Sequence, residues 1–242
     1  WEPRQPAVTP FLADGLAAFA EFQHVLAPAD ARLDGTVFAY RLAPAGFPLL
    51  VLDSRSQREA RSLRPGPRGT SLDAARILPP EAIDAIDDWL DKCGTGRPVF
   101  IVSPSLVFPF ERSALRDSTA DRLRVDAWCG FPASLAALVE RIAARAPREL
   151  VFLSGDAHLS LVSSLRFTVG KSAPLTVHSI VSSGTYTPWP FANTVPEDLL
   201  LDGELHYRFG ENKVLDGTIE TPVVVRAPGV ALIDVRRDTA SG

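Results

Sequence analysis

Apolar residues at Leu12, Leu16, Phe19, Phe22 and Leu26 recur with a helical spacing between Pro10 and Pro28, which predicts a surface helix over residues 11–26 packed by one face. The pattern then shortens. Residues 36–42 and 47–52 read as two strands turned by Pro44-Ala45-Gly46, the second the more buried. Pro79-Pro80-Glu81 opens a helix with Ile83, Ile86 and Leu90 on one face, closed by Lys92 and Gly94. A buried strand follows over residues 98–102, then a helix from Pro132 that aligns Leu135, Leu138 and Ile142, then a third buried strand over residues 150–153. Strands with near-continuous apolar runs alternating with helices predict parallel β-α-β units and an α/β fold. Beyond them the chain reads as mainly β, with candidate strands at residues 175–181, 204–209, 222–226 and 230–235. The expected organisation is one domain, residues 1–174 forming an α/β part and residues 175–242 a more antiparallel β part.

This alternation has a geometric consequence. Asp53, Ser103 and the pair Asp156 and His158 all fall at the carboxyl ends of successive parallel strands, the edge on which open α/β sheets bind ligands. Between Asp53 and Leu78 runs a long polar stretch containing Arg55, Arg58, Arg61, Arg64 and Arg68. Its arginines suit phosphate oxygens, although a solvated, mobile loop explains them better.

Composition narrows the classes. At 242 residues, 46% hydrophobic and 22% charged, the chain has the make-up of a globular protein that can bury a sizeable core. A formal net charge of -4 argues against a nucleic-acid binder with a broad basic face. No apolar run approaches the ~20 residues that span a bilayer, and Trp1-Glu2-Pro3-Arg4 lacks the pattern of a signal peptide. A soluble protein is expected, with the compartment, bacterial cytoplasmic or exported, left open together with the oligomeric state. Cys93 and Cys129 form no paired motif and read as free thiols. A chain that starts at Trp1 and contains no Met is expected to be a piece of something longer.

Leu153-Ser154-Gly155-Asp156-Ala157-His158 concentrates the candidate chemistry. A hard oxygen ligand and an imidazole two residues apart at a strand tip suit a metal ion; alternatively Asp156 caps the next turn while His158 packs or faces solvent. Gly170-Lys171-Ser172 imitates the end of a P-loop, but Leu165 stands where the first Gly is required. Gly94-Thr95-Gly96 follows a helix rather than a strand, so it is no dinucleotide fingerprint, and neither a G-x-S-x-G elbow nor an H-E-x-x-H zincin motif is present. His24 and His206 read as ordinary surface or packing histidines. His178 leads into Ser182-Ser183-Gly184-Thr185-Tyr186-Thr187-Pro188-Trp189-Pro190, which reads as a pocket wall or a turn.

Taken together, these landmarks resemble the PhoD-like (alkaline phosphatase D) metallophosphatases. Val51-Leu52-Asp53-Ser54-Arg55-Ser56 matches the family's strand end LDTRS, and Phe100-Ile101-Val102-Ser103-Pro104 its fvvSxP segment. Asp126-Ala127-Trp128-Cys129-Gly130-Phe131-Pro132 matches DxWxGYP, residues 153–158 match LSGDvH, and Val181-Ser182-Ser183-Gly184 resembles the serine pair that follows. The resemblance implies the carboxyl-side portion of a layered metallophosphoesterase fold. It also implies hydrolysis of phosphate mono- or diesters by a metal-bound hydroxide, with divalent or mixed metal ions such as Ca, Mn, Fe or Zn. Asp156 and His158 then stand as metal ligands and catalytic residues, and Asp53, Arg55 and Ser103 as substrate-orienting residues. Two features depart from the pattern: Leu135 stands where the family has Arg, implying a different surface contact or a relaxed substrate pocket, and the family's upstream motifs GDQxYaD and DDHE are not found. The missing amino-terminal half of the same protein is therefore an expected partner, alongside the phosphate-ester substrate. The rival class is a non-catalytic binding or scaffolding module that keeps the fold without a complete metal centre.

Overall fold

Short apolar segments with β-branched residues can satisfy their backbone groups only by pairing, and in this protein they pair into one sheet. A computed structural model describes residues 9–22, 24–26, 39–62, 65–66, 69–70, 74–116, 119–183, 195–209, 213–227 and 229–236. Its elements are α1 Thr9–Phe22, β1 Tyr40–Leu42, β2 Leu49–Val51, β3 Pro65–Gly66, β4 Gly69–Thr70, α2 Pro80–Cys93 and β5 Val99–Ser103. They continue with α3 Thr119–Arg124, α4 Pro132–Arg145, β6 Leu150–Ser154, β7 Ser160–Val169, β8 Leu175–Val181, β9 Gly203–Phe209 and β10 Lys213–Val225. Short 3-10 turns separate several of them.

The main sheet has eight strands in the order β1-β2-β5-β6-β8-β7-β10-β9, while β3 and β4 pair only with each other. The neighbours β2, β5, β6 and β8 run parallel. Strands β1, β7, β10 and β9 join antiparallel on the two flanks. The mixed α/β architecture read from the alternation is therefore present. β7 and β8, on either side of residue 174, are adjacent in the same sheet.

Helix α2 starts at Pro80, ends on Gly94 at φ 66°, and buries Ile83, Ile86, Trp89 and Leu90. Helix α4 likewise begins at Pro132 and buries Leu135, Leu138, Val139 and Ile142. The two helices pack together. Arg145 clamps them, its Nε and one terminal nitrogen each 2.8 Å from an oxygen of Asp87. Burying each Leu or Ile contributes roughly 1.5–3 kcal/mol, so these apolar faces, rather than the exposed ion pairs, hold the helices down.

Four expectations change. The first helix forms over Thr9–Phe22 rather than residues 11–26, with Leu12, Leu16 and Phe19 half-buried while Phe11 and Phe22, and Val25 and Leu26 in the 3-10 turn beyond it, are 57–80% exposed. Residues 230–235 form no strand: Leu232 is 96% exposed, and Ala231 N–H donates 3.0 Å to the Ser182 hydroxyl instead of to a ladder neighbour. Strand β7 does not stand out in the sequence, because Ser160, Ser164 and Arg166 alternate with the inward positions and one of those inward positions, between Leu161 and Leu165, is itself a serine, Ser163. Leu135 makes no surface contact, lying fully buried within α4. Residues 36–38 of the first predicted strand, Arg64, Arg68 and residues 184–190 lie outside the described residues.

Candidate functional site

Register brings the site together. Val51 pairs with Val102 and Val102 with Leu153, so β2, β5 and β6 end level, and the segments from Asp53, Ser103 and Gly155 leave the sheet along one edge. There they line a cleft of about 430 Å³ with Arg55, Ser105, Leu106, Glu111, Arg124, Asp126, Ala127, Gly155, Asp156 and Ala157.

Arg55 occupies the middle of this cleft. One terminal nitrogen donates to Asp126 Oδ2 at 2.7 Å and the other to Asp156 Oδ2. Behind it Arg58, with its side chain fully buried, donates to the other Asp126 oxygen, to the Ser105 hydroxyl at 2.7 Å and to the Ser54 carbonyl at 3.3 Å. Burial lowers the Arg58 guanidinium to about 10, against the opposing pull of Asp126. For Asp126 burial pushes upward, and the charges of Arg58 and Arg55 outweigh it, holding the carboxyl below its ordinary range. Both groups therefore stay ionised near neutral pH, and the pair is held in place by charge-assisted bonds.

The segment 126–132 forms the support. Trp128 donates its indole N–H to the Ser103 hydroxyl at 3.0 Å. Phe131 has the guanidinium carbons of Arg58 and Arg61 4.9 and 4.1 Å from its ring centroid. Gly130 admits Arg61, whose Nη1 donates to the carbonyls of Val125 at 2.7 Å and Gly130 at 3.0 Å. A Cβ at position 130 would sit 2.5 Å from that nitrogen and 2.4 Å from the Val125 oxygen, so only glycine fits.

The candidate residues separate in this frame. Arg55 and Asp156 meet in the cleft. Asp53 instead caps its own turn, accepting from Arg55 N–H at 3.1 Å, Ser56 N–H at 2.9 Å and the Ser56 hydroxyl. Ser103 is fully buried, donating to the Ser105 carbonyl at 2.6 Å and accepting from Trp128, so its hydroxyl works inside the fold. The β6 exit turns through Asp156 at φ 66° and His158 at φ 56°, left-handed positions costly for side-chain-bearing residues; Gly155 carries no such angle. The Ala157 N–H donates 2.8 Å to the Gly155 carbonyl, and the His158 N–H donates 3.2 Å to the Ser183 hydroxyl. His158 Nδ1 is buried without a hydrogen-bond partner among the described residues.

Asp126 and Glu111 are functional candidates that the sequence reading did not single out, and Arg58, read there as one of a run of arginines that suit phosphate, proves to be buried behind the cleft. Glu111 lines the cleft, and burial raises its carboxyl to about 6 against a weak hydrogen bond from Ser113. The available signals were the three-residue spacing of Arg55, Arg58 and Arg61 and the lone acid of the 126–132 motif.

As for a metal, the orphaned His158 nitrogen is a free donor, but Asp156 is engaged by Arg55, and no three His, Cys, Asp or Glu side chains converge among the described residues. The described residues therefore do not fit a complete metal centre.

No family model and no curated protein matches this sequence. A solved structure described as "Structure of PhoD" superposes with a TM-score of 0.54 at 18% sequence identity, over 76% of this chain and 36% of that one. The likeness is one of fold, and the chain spans about a third of that protein's length.

Proposed function

We propose that the strand-end cleft binds a phosphate ester as part of a metal-dependent phosphoesterase acting on mono- or diesters. The observation that carries this reading is Arg55, held between Asp126 and Asp156 at the carboxyl edge of a PhoD-like sheet. Two of its five N–H groups are committed to those carboxylates, which fixes the plane of the guanidinium and leaves donors for phosphoryl oxygens. Glu111, with its raised carboxyl, is the group in the cleft suited to giving a proton to a leaving oxygen in mildly acidic solution. Asp156 and His158 are the donors at the exit of β6 that would serve a divalent cation such as Ca, Mn, Fe or Zn. A whole centre needs further donors, so no catalytic step is assigned to a metal.

A non-catalytic phosphate-binding module is the second reading, favoured by the lack of three convergent metal donors among the described residues. Turnover of p-nitrophenyl phosphate and its bis ester with added Mn²⁺, Ca²⁺ or Zn²⁺, together with phosphate binding by calorimetry, separates the two. Metal-dependent turnover abolished by Arg55→Gln supports the enzyme, and Arg55-dependent binding without turnover supports the module. Neither turnover nor binding sinks both.

A further inference from the structure

A second cavity of about 460 Å³ lies at the opposite edge of the sheet, lined by Arg41, Leu42, Ala43, Gly46, Pro48, Trp89, Lys92, Cys93 and Arg97. It forms where β1 folds back on β2, where α2 ends and where the chain enters β5. Its lining contains three basic side chains, Arg41, Lys92 and Arg97, and no acidic one. The fold accounts for two of them in part. Lys92 stands in the last turn of α2, where a cation complements the helix carbonyls, and Arg97 donates to the Gly46 carbonyl at 2.8 Å. It does not account for Arg41. That side chain has no hydrogen-bond or ion-pair partner among the described residues, and its Nε is buried with its donor unused. A buried N–H without an acceptor costs free energy, so the Arg41 guanidinium is not held by the fold's own hydrogen bonds and its charge stays available at the cavity wall.

We propose that this cavity is a binding site for a small organic phosphate, independent of the strand-end cleft. Three positive charges without acidic neighbours in the lining match a dianion better than a single carboxylate, and guanidinium groups offer paired donors to phosphate oxygens. Trp89, Leu42 and Pro48 supply an apolar wall, so the preferred ligand carries an apolar or planar body on its phosphate. Inorganic phosphate satisfies the charges but not the wall and binds more weakly than the organic ester.

Cys93 in the lining gives a local readout, and Cys129, fully buried, gives an internal check that the fold persists. The probe is phenylphosphonate, a phosphate mimic that cannot be hydrolysed. Alkylation of Cys93 by neutral iodoacetamide is followed by mass spectrometry as the probe is titrated, with Cys129 unlabelled throughout. At about ten times its dissociation constant the probe slows Cys93 labelling about tenfold by mass action. Protection disappears in Arg41→Gln/Arg97→Gln and persists in Arg55→Gln, whose change lies in the other cleft. Unprotected labelling in the wild-type protein, or equal protection in the double variant, overturns the proposal, and neither result bears on the phosphoesterase reading.

Discussion

At the carboxyl ends of β2, β5 and β6, Arg55 and Arg58 both meet Asp126, and hydroxyls and an aromatic face take up much of what remains. At the amino ends of β2 and β5, Arg41 and Lys92 meet no carboxylate among the described residues. The difference teaches how a fold uses charge. Where opposite charges are desolvated together they lock geometry, since breaking one leaves the other stranded. Cations left half-solvated without partners fix little geometry and keep their field for a ligand.

The largest test of that contrast is Arg58→Leu. It removes the fully buried cation of the cluster, taking its bonds from the Ser105 hydroxyl and the Ser54 carbonyl and leaving the half-exposed Asp126 to Arg55 alone, and is expected to destabilise the fold by about 1–3 kcal/mol in urea unfolding. A loss below about 1 kcal/mol would mean that the compensated cluster is no more structural than a surface pair.

Glu111→Gln probes the same cleft with a smaller effect. The folded-state pKa, raised by burial to about 6, lies above the ordinary 4.5, so the folded protein holds its proton longer than the unfolded chain. Wild-type stability is therefore full below about 4.5 and falls as pH rises toward about 6, after which it levels. Glu111→Gln lacks that loss, so its advantage over the wild type grows across the same window and stays constant above it. A difference that does not change with pH would remove Glu111 from the desolvated wall.

The smallest effect is expected at the other edge. Lys92→Gln should shift stability by no more than ~0.5 kcal/mol, because relief of like charges is offset by loss of the cation at the end of α2. A loss like that of Arg58→Leu would show that the uncompensated edge is structural and erase the contrast.

Legibility followed the range of each interaction. Residues 80–93 and 132–145 were readable as helices because Pro at the start and a 3.6-residue apolar repeat are local signals. Asp156 was picked out because it follows a strand end, and Arg55 through the resemblance of residues 51–56 to the LDTRS segment. Arg58 was not, for its partners Asp126 and Ser105 lie 68 and 47 residues away, and nothing near Arg58 distinguishes a buried cation from a solvated one. Ser103 and Asp53 were selected by the same strand-end rule as Asp156, yet one hydroxyl is used up by Trp128 and the Ser105 carbonyl and one carboxylate by its own turn.

By itself the sequence determined the alternation of strands and helices, the parallel centre of the sheet and the edge at which Asp156 emerges, because apolar periodicity and turn residues act within a few positions. Only the tertiary structure decided which charges are paired. It set Asp126 between two arginines and left Arg41 with an unused donor, because electrostatic energies depend on distance and burial, and both are set by segments brought together from far along the chain.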